Sequence, residues 1–126
     1  MIYADRVLEY STTTGASTMT LAGAISGYRT WSSVCSDGDT GFYYIEGVDN
    51  NGIPTGEWET GLGTWNTGNL LSRSVAASSN ANTPVNFSSG TKRIALTLTA
   101  GTLASLVASV KTMGKRLAYP NALHVS

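Results

Sequence analysis

Short apolar and β-branched runs recur along this chain, and clusters of Gly, Asn, Asp and Ser separate them. The alternation is clearest near the end of the first hundred residues. There Ile94, Leu96 and Leu98 take one phase, and Ala95, Thr97 and Thr99 take the other. A period of two assigns one face of that strand to a core. The segment from Phe42 to Trp65, FYYIEGVDNNGIPTGEWETGLGTW, is written as a β-hairpin. Tyr43, Ile45, Trp58 and Trp65 supply bulk for a pleated surface, and Asp49 to Gly52 supply the turn. Strands are expected at 6–10, 18–22, 28–34, 42–48, 57–62, 70–77, 85–87 and 93–99. About eight short strands at this spacing predict an all-β fold, a β-sandwich or small barrel of jelly-roll type.

The period then changes. Leu103, Leu106, Val107, Val110 and Met113 follow the i, i+3, i+4, i+7 rule of an amphipathic helix. Thr102 suits an N-cap and Gly114 the position after the last turn. Lys111, Lys115 and Arg116 suit the negative end of the helix dipole. The expected organisation is a β-sandwich or barrel docking domain over 1–100, followed by a C-terminal helix and tail over 101–126. The stripe Leu103, Leu106, Val107 and Val110 either caps an open end of the barrel or packs against copies of itself. The small residues opposite it would let another backbone approach. The last ten residues, with Pro120, read as a flexible end or as an arm laid on a partner.

Composition narrows the function more than the fold. The chain has 126 residues, one domain's worth, with zero formal net charge, so no global field draws it to nucleic acid or membrane. The charges are nevertheless segregated. Residues 1–63 hold two basic and eight acidic side chains, and residues 64–126 hold six basic and none acidic. Either strands from the two halves pair and the charges meet within the sheet, or two faces of opposite sign meet between subunits. The candidate charges are Glu57, Glu59, Arg73, Lys92 and Arg93.

Reaction chemistry finds few candidates. Cys35 is the only cysteine, which fits folding in a reducing cytoplasm, and it reads as a small buried residue. The only histidine, His124, is remote from it in sequence, so no activated thiol is expected. The N-terminal stretch carries Asp5, Arg6 and Glu9 and reads as no signal peptide. Residues 94–110 lack charge but are shorter than the roughly twenty apolar residues of a span. Asp37 and Asp39 read as a solvated turn, with no calcium-loop spacing. Glu57 and Glu59 share one strand face, whereas glycosidase acids converge from different elements. No phosphate-binding glycine string occurs, and the basic pairs fall short of a nucleic-acid stripe. No enzyme, cofactor or metal is expected. Trp31, Trp58 and Trp65 read as core pillars or interface anchors, with a sugar-stacking platform as the alternative.

Five strings carry a family resemblance: RVLEYSTTTG from Arg6, TLAGAISGYRTW from Thr20, GEWETGLGTW from Gly56, LSRSVAASSN from Leu71 and VNFSSGTK from Val85. In order and spacing they resemble a β-domain of tailed-bacteriophage and prophage virion structural proteins. That domain is found in tail-fibre attachment regions and in small free-standing capsid or tail proteins. The resemblance covers about residues 6–99. It implies a virion component, folded in the host cytoplasm, that forms a homo-oligomer, expected as a trimer. It implies docking on the tail to hold fibres or appendages. Capsid cement or decoration, and a carbohydrate-binding adhesin module, are the alternatives. It carries over no catalytic residues. The chain departs from the fibre pattern in lacking a shaft and tip after the domain.

Overall fold

The computed structural model describes residues 1–100 together with 103, 104, 107, 108, 110 and 111. Six antiparallel strands form one sheet that curls into a nearly closed barrel. They are β1 (Leu8–Ser11), β2 (Met19–Thr20), β3 (Thr40–Val48), β4 (Pro54–Asn66), β5 (Leu70–Ser78) and β6 (Thr91–Leu96). The spatial order is β1-β6-β3-β4-β5-β2.

Closure comes from the chain that follows β2. Met19 and Thr20 pair with Leu71 and Leu70 of β5. A few residues on, the same segment crosses to the free edge of β1. The Ala22 N–H donates to the Tyr10 carbonyl, Tyr10 N–H to Gly23, Ile25 N–H to Leu8 and Leu8 N–H to Arg29. One segment thus covers both edges, which leaves little unpaired strand to aggregate.

The β3–β4 hairpin forms where the sequence places it. Asp49 Oδ1 accepts the N–H groups of Asn51 and Ile53 at 2.8 and 2.9 Å, and Gly52 takes φ +77°. That is an Asx turn closed by a left-handed glycine. Alternation along the two strands then decides what lies inside. Tyr43 and Ile45 point inward from β3, opposite Glu59, Gly61, Gly63 and Trp65 of β4. Gly61 and Gly63 make room for the Tyr43 ring. A Cβ on Gly61 would strike the Ser74 carbonyl and come within 2.9 Å of the Tyr43 hydroxyl. Such pairing of large and small residues suits a small barrel interior. Val7, Met19, Leu21, Trp31, Cys35, Leu71, Val85, Phe87, Ile94 and Leu96 complete the core.

Six of the expected strands overlap observed ones, and two do not. The run at 28–34 holds a short 3-10 turn, Trp31–Ser33, capped by Thr30, whose side-chain oxygen accepts the Ser33 N–H. Trp31 drops from that turn into the core, so its apolar bulk marks a plug between strands. The run at 85–87 makes a single bridge, Phe87 to Gly15. β6 ends at Leu96, which leaves Leu98 exposed instead of continuing the buried phase. Of the expected helix, positions 100, 103, 104, 107, 108, 110 and 111 are helical. Leu106, Met113 and the tail lie outside the described residues.

Candidate functional site

The side chains richest in chemistry lie inside the barrel. Glu59 points inward from β4 and is fully buried, and Arg73 reaches it from β5 with its side chain 2% exposed. The contact is bidentate: Arg73 Nε donates to Oε2 at 2.7 Å and Nη2 to Oε1 at 2.5 Å. Tyr43 Oη donates to Glu59 Oε2 at 2.7 Å, and the Val85 N–H donates to Oε1 at 2.9 Å. Arg73 spends its remaining donors on the carbonyls of Gly15, Ser17 and Val85, and its guanidinium lies 5.1 Å from the Phe87 ring centroid. Burial pushes the Glu59 pKa up. Arg73, the Val85 N–H and the Tyr43 hydroxyl outweigh that and hold it below the usual carboxylate range. Burial, then the neighbouring Glu59, pushes the Tyr43 phenol well up.

A second polar layer lies towards one end. Lys92 shares the inward phase of Ile94 and Leu96 and is 1% exposed. Its Nζ donates to the Gly90 carbonyl at 2.9 Å. Burial lowers its pKa, against the pull of Glu57. Glu57 accepts both the N–H and the hydroxyl of Ser88 at 3.0 Å. On the outer face Arg93 pairs with Glu46 at 2.8 Å, and Tyr44 donates to the same carboxylate.

Three of the five candidate charges, Glu59, Arg73 and Lys92, therefore lie inside the barrel, and Glu57 and Arg93 are half-buried. Glu59 and Arg73 satisfy each other within one chain, and Lys92 is buried, so none of the three is available to a neighbouring subunit. The two halves of opposite charge meet across the sheet, Glu59 with Arg73 inside the barrel because β4 lies beside β5, and Glu46 with Arg93 on its outer face because β3 lies beside β6. Trp31 and Trp65, 0% and 7% exposed, are core residues, and only Trp58 reaches the surface, half-buried. Leu103, Val107 and Val110 are exposed, and so contribute little to the barrel core.

Other carboxylates clamp loops. Glu9, which sequence reasoning passed over, is 2% exposed and accepts the N–H groups of Trp31 at 2.7 Å and Gly23 at 3.1 Å. Burial raises its pKa against the lowering effect of those two bonds. Its phase, shared with buried Val7 and Ser11, was the available signal. Asp37 Oδ1 accepts from the Thr67 N–H and from Asn66, which together lower its pKa. Cys35 is 8% exposed, and burial raises its thiol pKa, as does the nearby Asp39, so it is no ready nucleophile. Among the described residues no group of three His, Cys, Asp or Glu side chains is placed to hold a metal ion. Among the same residues no helix is long and apolar enough to cross a membrane. No family model, curated protein or solved structure matches this chain.

Proposed function

We propose that this chain is a non-enzymatic structural protein of a bacteriophage virion, a homo-oligomeric docking module that holds tail fibres or other appendages on the tail. The observation that carries the reading is an apolar stripe outside the barrel. Leu103, Val107 and Val110 are 52%, 45% and 67% exposed, at positions that share one helical face. The Leu103 N–H donates to the Thr99 carbonyl, so the stripe starts just after β6. Tyr3 and Leu98, both exposed, line one cavity at the end of the barrel where β6 stops.

Each such side chain contributes about 1.5–3 kcal/mol when taken from water, and rotational symmetry repeats the contact in every subunit. A trimer burying three copies of the stripe is the arrangement proposed. The five strings that resemble virion β-domains support the same reading, and the partner is then a tail or capsid protein. Capsid cement is the alternative, since it would use the same kind of surface at a different place on the particle. The adhesin reading retains Trp58 alone of its three tryptophans.

Sedimentation velocity at micromolar concentration tests the self-association. The wild-type chain should sediment as a trimer, and a Leu103→Ser, Val110→Ser variant as a monomer with an intact barrel. A wild-type monomer would overturn the reading. Cryo-electron microscopy of the assembled particle then separates tail from capsid.

A further inference from the structure

Asn51 and Gly52 stand at the tip of the β3–β4 hairpin, and no other asparagine of this chain is followed by glycine. That pair has a chemistry of its own. The backbone nitrogen after an asparagine can attack the side-chain carbonyl carbon, and a glycine, having no Cβ, lets the two atoms come closest. The structure leaves the reacting groups uncovered. Asn51 is exposed, and among the described residues its side-chain amide has no hydrogen-bond partner. A Cβ built on Gly52 would meet nothing within 4 Å. Other asparagines are tied down. Asn66 donates to Asp37, Asn80 donates to the Pro84 carbonyl, and Asn82 accepts the Ser78 N–H.

Two contacts restrain the step. The Gly52 N–H donates to the Asp49 carbonyl at 3.0 Å. Asp49 Oδ1 accepts the N–H groups of Asn51 and Ile53 at 2.8 and 2.9 Å. The attacking nitrogen must leave the Asp49 carbonyl, so the reaction runs from a locally opened turn. Such opening costs far less than unfolding the barrel, because the tip buries little apolar surface and Ile53 is 59% exposed.

We propose that Asn51 is a modification site that converts spontaneously to aspartate and isoaspartate. The Gly52 nitrogen bonds to the Asn51 side-chain carbonyl carbon, and the bond from that carbon to Nδ2 breaks. Nδ2 leaves as ammonia, taking the proton of the Gly52 N–H. Water then opens the cyclic imide. Opening at the side-chain carbon gives aspartate. Opening at the main-chain carbon gives isoaspartate, whose backbone runs through the side chain and is one atom longer. One water is consumed, one ammonia is released, and nothing is oxidised or reduced. Either product adds a negative charge, which takes the formal net charge to 0 − 1 = −1. The extra backbone atom of isoaspartate also separates the two N–H groups that Asp49 Oδ1 holds, and moves the Gly52 carbonyl that accepts Arg93 Nη2 at 3.1 Å. β6 runs away from this tip, from Thr91 beside Val48 to Leu96 beside Tyr43, so the site is separate from the stripe at Leu103, Val107 and Val110.

The test incubates the full chain in mildly alkaline buffer at body temperature, beside a synthetic peptide of residues 47–54. Both are followed by mass spectrometry after digestion at acidic pH. The fragment carrying Asn51 should gain one mass unit before any other asparagine does, more slowly in the chain than in the peptide, with isoaspartate in excess. Asp49→Ala removes the clamp and should speed the conversion about three- to tenfold. Asn51→Gln should abolish it. Amide exchange at the hairpin tip should rise in the isoaspartate form and stay unchanged in β1. No gain at Asn51 once the peptide has converted, an earlier gain at another asparagine, or an Asp49→Ala rate equal to that of the wild type would each overturn the proposal.

Discussion

Replacing Arg73 by Met probes the interior network most directly. The change keeps much of the hydrocarbon stem and removes the charge. Glu59 would then be a fully buried carboxylate with two donors left, Tyr43 Oη and the Val85 N–H. The carbonyls of Gly15, Ser17 and Val85 would each lose the arginine donor. Breaking one side of a buried ion pair costs about 3–5 kcal/mol. A domain of this size has about 5–15 kcal/mol in total, so the loss is about 30–50% of a mid-range value. Trp31 and Trp65 are buried reporters, so urea unfolding followed by tryptophan fluorescence reads the effect. With a urea slope of about 1–3 kcal/mol/M, the midpoint should fall by about 1 M or more.

Two controls keep the result interpretable. Glu59→Gln in the Arg73→Met background removes the stranded charge and keeps a carbonyl for Val85, so the double variant should cost less than the sum of the singles. The Glu59 pKa is lowered in the folded state. Its contribution is therefore full above the unfolded value of about 4.5 and is lost as pH falls through the lower folded value. Arg73→Met should abolish that acid-side loss. A cost below about 1 kcal/mol, with additive variants, would refute the view that this pair holds the barrel together.

Three further outcomes are expected from the same urea assay. Gly61→Ala should destabilise by about 1–3 kcal/mol, because its Cβ meets the Ser74 backbone; Gly63→Ala should cost less, because its nearest obstacle is the movable Leu71 Cδ1 at 2.7 Å. Ala81→Gly should stabilise by about 1 kcal/mol, since Ala81 holds φ +53°. Glu9 has a raised folded pKa, so its contribution is present below the unfolded value and declines as pH rises through the folded one. Glu9→Gln gives up one of two backbone acceptors and should be less stable at every pH, but its stability should lack that decline.

Much of the strand plan was legible, because alternation and turn chemistry are local. The β3–β4 hairpin follows from Asp49 and Gly52, and the burial of Ile94 and Leu96 follows from their phase. Two runs misled because apolar content alone does not distinguish a strand from a plug. Trp31 belongs to a 3-10 turn that fills the barrel, and Val85 and Phe87 belong to a loop pinned by Glu59 and Arg73. Pairing of the charges across the sheet was one of two readings the sequence left open, and what it hid was their depth. Glu59 shares its phase with Gly61, Gly63 and Trp65, and Lys92 shares its phase with Ile94 and Leu96, so parity put both inside. The habit of assigning charge to solvent hid this, and only the strand order, with β4 beside β5, reveals that Glu59 has Arg73 for a partner. Arg6 and Arg29 are 23 residues apart in sequence, and nothing local could show that the Arg6 carbonyl accepts the Arg29 N–H.

The carboxylates show a common use that bears on how the molecule would dock. Glu9 holds the N–H groups of Gly23 and Trp31, Glu59 that of Val85, Glu57 that of Ser88 and Asp37 that of Thr67. Each belongs to a connection between strands, where backbone donors have no ladder to join and would otherwise need water. A barrel with short strands and long connections thus gains fixed loops without enlarging its core. Fixed loops lower the ordering cost when a surface is covered by a partner, so modest contacts yield more net affinity than they would from mobile loops. On this view the carboxylate clamps, and the interior Glu59–Arg73 pair among them, serve association indirectly. Arg73→Met should soften the loops around Gly15, Ser17 and Val85 before it unfolds the barrel. Amide exchange at those three positions should then rise more than at the β3–β4 pairing.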